Sequence, residues 1–140
     1  MRDLHNNIHP KRCISPVSEA GTTALVGQII DKQGFSSLEY VIATGSIADA
    51  DATFTVLLED GDDSGLSDAA AVADAYLLGT EVLAAFQFDD DNETRKLGYI
   101  GPKRYTRLTI TPVNNASAAV ICAIAILGDP ANAPTINPPV

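Results

Sequence analysis

Alternation of apolar and polar side chains is the clearest signal in the chain, and it is strongest in two segments. In residues 38–42 every second side chain is large and apolar, and residues 54–58 repeat the same pattern. Such a period of two, in β-branched and aromatic residues, predicts half-buried β-strands. Because only a small polar segment, 45–51, connects the two, we expect them to form a two-stranded ribbon that other strands cover.

The same patterns predict further strands before and after this ribbon. They cover residues 23–31, 82–88, 95–100, 104–111 and 118–127, with a possible edge strand at 13–17. We expect the segment 101–103 to make a hairpin-like connection, and 66–78 to be a long loop with at most one helical turn. Many short strands with little helix predict an all-β protein, a single β-sandwich of jelly-roll or Greek-key type.

The sandwich is predicted to occupy residues 23–128, with extended arms on both sides. Residues 1–22 form the N-terminal arm, and residues 129–140 form a C-terminal arm that four prolines stiffen. Since residues 1–12 and 129–140 contain few large apolar side chains, we expect their deletion to leave the melting temperature nearly unchanged. We expect the same deletions to weaken attachment to a partner.

The strand at 118–127 is apolar on both faces, which indicates that both faces are covered. The cover on the second face is a loop, an arm or another subunit. One face of this strand carries the larger side chains, Val120, Cys122, Ile124 and Ile126, and the other carries Ala119, Ile121, Ala123, Ala125 and Leu127.

Net charge −9 argues against direct binding of nucleic acid, which needs a basic face. Acidic residues dominate the segment 59–93, which has no Lys or Arg, so the charge is segregated along the chain. Segregated charge suits packing between like subunits, although an ordinary solvated surface fits as well. We find no apolar run of about 20 residues for a membrane span and no signal-peptide pattern, so we expect synthesis in the cytoplasm.

Few residues suggest chemistry. His5 and His9 have the spacing of a helical metal pair, but Pro10 and two asparagines make a helix there improbable, so we interpret the segment as a solvated or interface arm. Both histidines lie in this arm, and we therefore predict no catalytic set, no enzyme and no cofactor. Cys122 is interpreted as a core residue and Cys13 as a free thiol, with a disulfide as the less favoured alternative.

A turn at 60–65 partly matches a calcium-binding loop. Asp60, Asp62 and Ser64 stand at the first, third and fifth positions and Gly65 at the sixth, but Ala71 occupies the position of the bidentate glutamate. These residues are therefore only a weak calcium candidate, and we assign no metal. A sugar-binding sandwich is the main functional competitor, although the chain has no Trp and only Tyr76 is predicted to be presented.

Three segments together, 5–18 (beginning HNNIHPKRC), 35–81 (beginning FSSLEYVIATG) and 97–135 (beginning LGYIGPKRYTRL), resemble small proteins encoded among the head genes of tailed bacteriophages and prophages. The resemblance covers nearly the whole chain, apart from the two cysteines. It implies a non-enzymatic virion protein, a decoration or minor capsid protein bound in many copies to the outer surface of the head. The implied partners are the major capsid protein and other virion subunits. Alternatives are a neck, tail or fibre subunit, or a carbohydrate-binding adhesion module.

Assembly is expected, with a homotrimer preferred on the resemblance and a dimer as the alternative. The candidate contact residues lie in the N-terminal arm, in the strand at 104–111 and in the last strand. They are Arg2, Lys11 and Arg12, then Tyr105, Arg107 and Thr109, and finally Ile121 and Leu127.

Overall fold

A computed structural model describes residues 2–140. The strands in this part of the chain are β1 (Ile8–Glu19), β2 (Leu25–Val26), β3 (Ile30–Asp31), β4 (Phe35–Ile47), β5 (Thr53–Gly61), β6 (Ala70–Ala71), β7 (Leu77–Leu78), β8 (Phe86–Gln87), β9 (Thr94–Tyr99), β10 (Tyr105–Val113) and β11 (Ala119–Pro130). A four-residue helix, α1 (Glu81–Ala84), precedes β8, and single 3-10 turns lie at His5–Asn7 and Asp74–Tyr76.

The strands form two antiparallel sheets that face each other. Sheet I has the order β1-β11-β4-β9-β7, and sheet II has the order β2-β10-β5-β6, with β3 also on β10 and β8 also on β5. The chain changes sheet at most of its connections. The predicted all-β sandwich is confirmed. None of the helices in residues 2–140 has the length and apolar character to cross a membrane.

The two central strands do not pair with each other, so the predicted ribbon is wrong. β4 pairs with β11 and β9 in sheet I, whereas β5 pairs with β10 in sheet II. Their alternating apolar side chains instead meet across the interior, where Tyr40, Phe54 and Leu58 are buried. The predicted hairpin between β9 and β10 is wrong for the same reason, because the segment 100–104 crosses from sheet I to sheet II.

The N-terminal segment is a full edge strand rather than an arm. β1 pairs with β11 from Ile8 opposite Gly128 to Glu19 opposite Ala119. The His9 and Cys13 side chains are buried. The possible edge strand at 13–17 lies within β1, but its full extent was not predicted. An edge strand tolerates Pro10 and Pro16 because one side of its backbone needs no ladder hydrogen bonds.

The C-terminal segment folds back onto the start of β1. The Thr135 N–H donates to the Asn6 carbonyl at 3.0 Å, and Thr135 Oγ1 donates to the Ile8 carbonyl at 2.7 Å. His9 Nε2 lies 3.0 Å from the carbonyl oxygen of Val140. Residues 131–140 are therefore held by β1 and do not extend away from the sandwich.

Residues 82–88 were predicted to form a strand, but they begin with helix α1 and only Phe86–Gln87 pairs with β5. Thr80 Oγ1 caps the helix by accepting from the Leu83 N–H at 3.0 Å. Glu81 Oε1 accepts from the Leu58 N–H of β5 at 2.7 Å, which holds the helix against sheet II. The segment 66–78 has one 3-10 turn at Asp74–Tyr76, as expected, but it is not only a loop, because it also contains the short strands β6 and β7.

Candidate interaction surface

The last strand, β11, lies inside sheet I between β1 and β4, and its two faces differ in exposure. The face with the smaller side chains points inward. Ala125 is paired with the bulky, buried Tyr40, so a small side chain fits beside that ring. Ile121 and Leu127, two of the predicted contact residues, are 1% and 0% exposed. Their side chains are core residues, and this corrects their placement at a partner contact.

The larger apolar side chains of β11 point outward. Val120 is 43% exposed and Ile124 is 41% exposed. Cys122 is half-buried on the same outward face, so its interpretation as a core residue is wrong. It is a free thiol, as is Cys13, whose pKa burial raises to about 12. The fully buried residue of the pair is therefore Cys13.

Neighbouring strands extend this outward face, because residues directly opposite in an antiparallel sheet share a face. Ile124 lies between Arg12 of β1 and Val41 of β4, and Val41 is in turn opposite Lys96 of β9. The pairs in the adjoining rows are Pro10–Ile126–Glu39 and Cys122–Ala43. We call the surface formed by Pro10, Arg12, Glu39, Val41, Ala43, Lys96, Val120, Cys122, Ile124 and Ile126 the outer face of sheet I.

A ridge on β7 and α1 borders this face and turns its margin into a groove. Leu78 and Leu83, 54% and 70% exposed, border a hollow of about 480 Å³ whose opposite side is Glu39 and Lys96. A second hollow of about 210 Å³ adjoins it beyond Glu39 and Leu78. Gly98 of β9 lies close to both Glu39 and Leu78, and a Cβ there would lie 2.8 Å from Glu39 Oε2 and 2.9 Å from Leu78 Cβ. Any side chain at this position would displace one of them.

Charge on the outer face of sheet I is sparse and unpaired. Partial burial raises the pKa of the Glu39 carboxyl, while the charge of Lys96 acts in the opposite direction. Within residues 2–140, Glu39, Lys96 and Arg12 take part in no ion pair. Arg12 Nη1 instead donates to Ser15 Oγ at 2.5 Å. The face thus combines an aliphatic centre with two cations and one half-buried carboxylate.

The opposite side of the sandwich carries three other predicted contact residues, Tyr105, Arg107 and Thr109, all half-buried on β10. Arg107 forms an ion pair with Glu59 at 2.9 Å. The Arg104 guanidinium lies 4.9 Å from the centre of the Tyr105 ring. Arg107 and Tyr105 thus have partners in their own chain, and all three predicted residues lie on sheet II.

The remaining predicted residues are scattered. Arg2 is exposed before β1, Arg12 belongs to the outer face of sheet I, and Lys11 is half-buried opposite the inward-pointing Ala125. The eight predicted residues therefore do not form one surface. Sequence reasoning recorded the apolar row of β11 but could not tell which face was outward, and it missed Glu39, Val41 and Lys96. The sequence feature that could have identified this surface is that Val41 and Ala43 make the second face of β4 apolar as well.

The calcium candidates do not converge on a common centre. Asp60 Oδ2 accepts from the Tyr99 hydroxyl at 2.7 Å, and Asp62 pairs with Lys103. Neighbouring carboxylates bind backbone N–H groups of the loop itself, as Asp68 does with Asp62 and Asp63. In the described part of the chain, no group of three or more His, Cys, Asp or Glu side chains is arranged to hold a metal ion.

The two histidines that have the spacing of a helical metal pair, His5 and His9, lie in different environments. The His9 ring packs against Phe35 with a centroid distance of 5.6 Å and is buried, whereas His5 is exposed in a 3-10 turn. Tyr76, the aromatic residue expected to be presented, is 43% exposed. It lies in the loop before β7, and no aromatic ring is among the residues that define the outer face of sheet I.

No protein-family model matches the sequence, and no curated protein matches it. The structure is similar to that of the PBSX exported protein XepA, with a TM-score of 0.54 and 13% identity over 94% of this chain and 39% of that one. The chain thus spans about two fifths of the length of XepA. At this identity the likeness shows a shared β-sandwich fold.

Other similar structures have lower scores. The CBM22-1 xylan-binding domain of Paenibacillus barcinonensis Xyn10C gives a TM-score of 0.42 and 12% identity over 88% of this chain and 86% of that one. The SPBc2 prophage-derived protein YomS gives 0.40 and 13% identity over 84% and 94%. The class that fold and surface define is a small antiparallel β-sandwich with an exposed apolar sheet face.

Proposed function

We propose that the protein is a non-enzymatic structural subunit of a tailed-phage particle, attached in many copies to the outside of the head. The observation that carries this is the outer face of sheet I. Contiguous exposed aliphatic side chains such as Val120 and Ile124 mark protein contact surfaces. The depletion of charge at the centre, with cations at the sides, resembles the anatomy of protein–protein interfaces.

The phage assignment has a different support. Three long segments of the sequence resemble small proteins of phage head genes, and the fold is compatible with that origin, since XepA is a PBSX exported protein with the same type of sandwich. The partners proposed on this basis are the major capsid protein and other virion subunits. In the assembled particle, the outer face of sheet I is buried against protein.

Mass spectrometry of purified particles tests the proposal. We expect a copy number comparable with that of the capsid protein. A few copies per particle would place the protein in the neck or tail, and absence from particles would refute the proposal.

A matched pair of variants then tests the surface. Ile124→Asp places a charge on the outer face of sheet I, and Leu57→Asp places one on sheet II, where Leu57 is 39% exposed. We expect only Ile124→Asp to reduce incorporation into particles. Equal incorporation of both variants would show that incorporation does not depend on this face.

A carbohydrate-binding role is the second candidate, and the exposed ring of Tyr76 favours it because sugars stack on exposed aromatic side chains. A glycan array with the purified protein separates the two functions. Binding that Tyr76→Ala abolishes, together with absence from particles, would favour the carbohydrate role. A blank array with incorporation into particles would favour the structural role.

A further inference from the structure

We infer that the outer face of sheet I packs against the same face of a second copy of this chain, in a two-fold symmetric dimer. The inference rests on the proposed function and deepens it by naming what covers this surface. Three features of the described residues carry it: the self-complementary arrangement of the face, its size and its charge relative to the rest of the chain.

The face is self-complementary. The row Arg12–Ile124–Val41–Lys96 has two aliphatic side chains in its centre and a cation at each end. A two-fold axis in the plane of the contact lays aliphatic centre on aliphatic centre. It also allows Lys96 of each copy to reach Glu39 of the other. Glu39 is half-buried without an ion-pair partner within residues 2–140, and a cation from a second copy would supply the missing one.

The face is large enough for a stable contact. The strands β1, β11 and β4 pair over at least nine residues and β9 over six, which gives a surface of about 500 Å² at ordinary strand and residue spacings. Two copies therefore bury about 1,000 Å² in total, before Leu78 and Leu83 are counted, which is the size at which specific interfaces begin.

The charge distribution favours this face over other parts of the surface. Each chain carries a net charge of −9, so two copies repel each other in most orientations. The acidic segment 59–93 lies in β5, in the connections that follow it and in the short elements up to β9. The outer face of sheet I has Arg12 and Lys96 against the single carboxylate of Glu39. Two copies can approach through it without a cluster of like charges at the contact.

The segments of the same chain nearest to this face border it but leave its centre exposed. Residues 131–140 bind the start of β1, through Thr135 to Asn6 and Ile8 and through Val140 to His9. The loop with Tyr76 continues into β7 at the border of the face and does not cross it. A second copy is the occupant that matches both the aliphatic centre and the paired charges.

Analytical ultracentrifugation of the purified full chain over a concentration series tests the dimer. We expect the wild-type chain and Leu57→Asp to dimerise alike. Ile124→Asp should weaken the dimer by more than about 100-fold, because a buried, unpaired charge at an interface is strongly unfavourable. A wild-type chain that stays monomeric at several hundred micromolar would overturn the inference. An Ile124→Asp variant that dimerises with the same affinity as the wild type would overturn it too.

A charge exchange tests the symmetry of the contact. Glu39→Lys alone and Lys96→Glu alone place like charges opposite each other in both halves of a two-fold contact. Each should weaken its homodimer by at least about tenfold. An equimolar mixture of the two variants restores opposite charges in both halves, so we expect heterodimers with nearly wild-type affinity. Failure of the mixture to associate would overturn the assignment of Glu39 and Lys96 to opposite copies.

The reactivity of the Cys122 thiol tests the dimer in the wild-type protein, so the test does not depend on whether Ile124→Asp folds. Cys122 lies on the outer face of sheet I and Cys13 is buried in the core. We expect maleimide labelling of Cys122 to slow as the protein concentration passes through the dimer dissociation constant. Labelling independent of concentration would contradict the dimer. Mass spectrometry of particles judges the proposed function separately, so a monomer found in particles would refute the dimer alone.

Discussion

The hydroxyl of Tyr40 lies 2.6 Å from Oγ1 of Thr106, and this hydrogen bond joins the two sheets inside the sandwich. Tyr40 belongs to β4 of sheet I and Thr106 to β10 of sheet II, and both side chains are 0% exposed. Burial raises the pKa of Tyr40, so its hydroxyl stays neutral. At this position a buried hydrogen bond therefore connects the two sheets within a mainly apolar core.

This link predicts a non-additive pair of substitutions. Tyr40→Phe leaves Thr106 Oγ1 without its partner, and Thr106→Val leaves the Tyr40 hydroxyl without one. Each should destabilise the fold by about 1–3 kcal/mol, whereas the double variant, which removes both groups, should cost less than the sum. Urea unfolding of the four proteins measures the coupling. Additive effects would show that the two groups do not depend on each other.

Helix α1 predicts a second stability effect. Glu81→Ala removes the acceptor of the Leu58 N–H and should destabilise the protein by about 1–2 kcal/mol. Glu81→Gln keeps an acceptor oxygen and should cost less. Val82→Ala, one residue further along the same helix and 84% exposed in the wild type, is the matched control and should stay within about 0.5 kcal/mol. If thermal melts show that Glu81→Ala destabilises the protein no more than Val82→Ala does, the contribution of this contact to stability is refuted.

From the structure we expect truncation of the N-terminal segment to lower the melting temperature, contrary to the expectation from the sequence. Removing residues 1–12 takes away the half of β1 that pairs with 124–128 and the buried His9 ring. We expect the melting temperature to fall by more than about 10 °C, or the chain to fail to fold. Removing 132–140 should cost less, because it removes the hydrogen bonds of Thr135 and Val140 but no strand. A chain starting at residue 13 that melts like the full one would restore the interpretation as an arm.

The Glu39 carboxyl predicts a dependence on pH. Since burial raises its pKa in the folded protein above 4.5, protonation favours folding, and the stability this gives is lost as the pH rises through the raised pKa. Glu39→Gln should therefore raise the melting temperature near neutral pH and make no difference below about pH 4.5. Melts from about pH 4 to about pH 8, at a concentration that keeps the chain monomeric, measure this. A variant that is less stable at neutral pH would show that the charged carboxylate is stabilised instead.

The sequence predicted which side chains are buried better than it predicted which strands pair. Alternation at 38–42 and 54–58 depends on local sequence only, and the structure buries the expected residues. Whether a connector turns back along the same sheet or crosses to the other depends on packing across the core. The segments 48–52 and 100–104 are compatible with both, so pairing could not be read from them.

The surface was harder to predict for a related reason. On β11 both faces are apolar, and the choice depends on space: the inward side meets Tyr40, which leaves room for Ala125 but not for a larger residue. The helix at 81–84 is stabilised by the side-chain hydrogen bonds of Thr80 and Glu81. An alternation of apolar and polar residues does not predict such hydrogen bonds. The apolar residues on both faces of the last strand therefore predicted that both faces are covered, but they did not show which face is exposed.

The edge strands of both sheets limit how an assembly of this protein can grow. Sheet I ends in a two-residue strand, β7, on one side, and on the other in β1, which carries Pro10 and Pro16 and is joined near its start by residues 135–140. Sheet II ends in two-residue strands as well. Such edges do not extend a sheet from chain to chain. Association is left to the broad faces, which favours closed, finite complexes over open fibrils that would grow without limit.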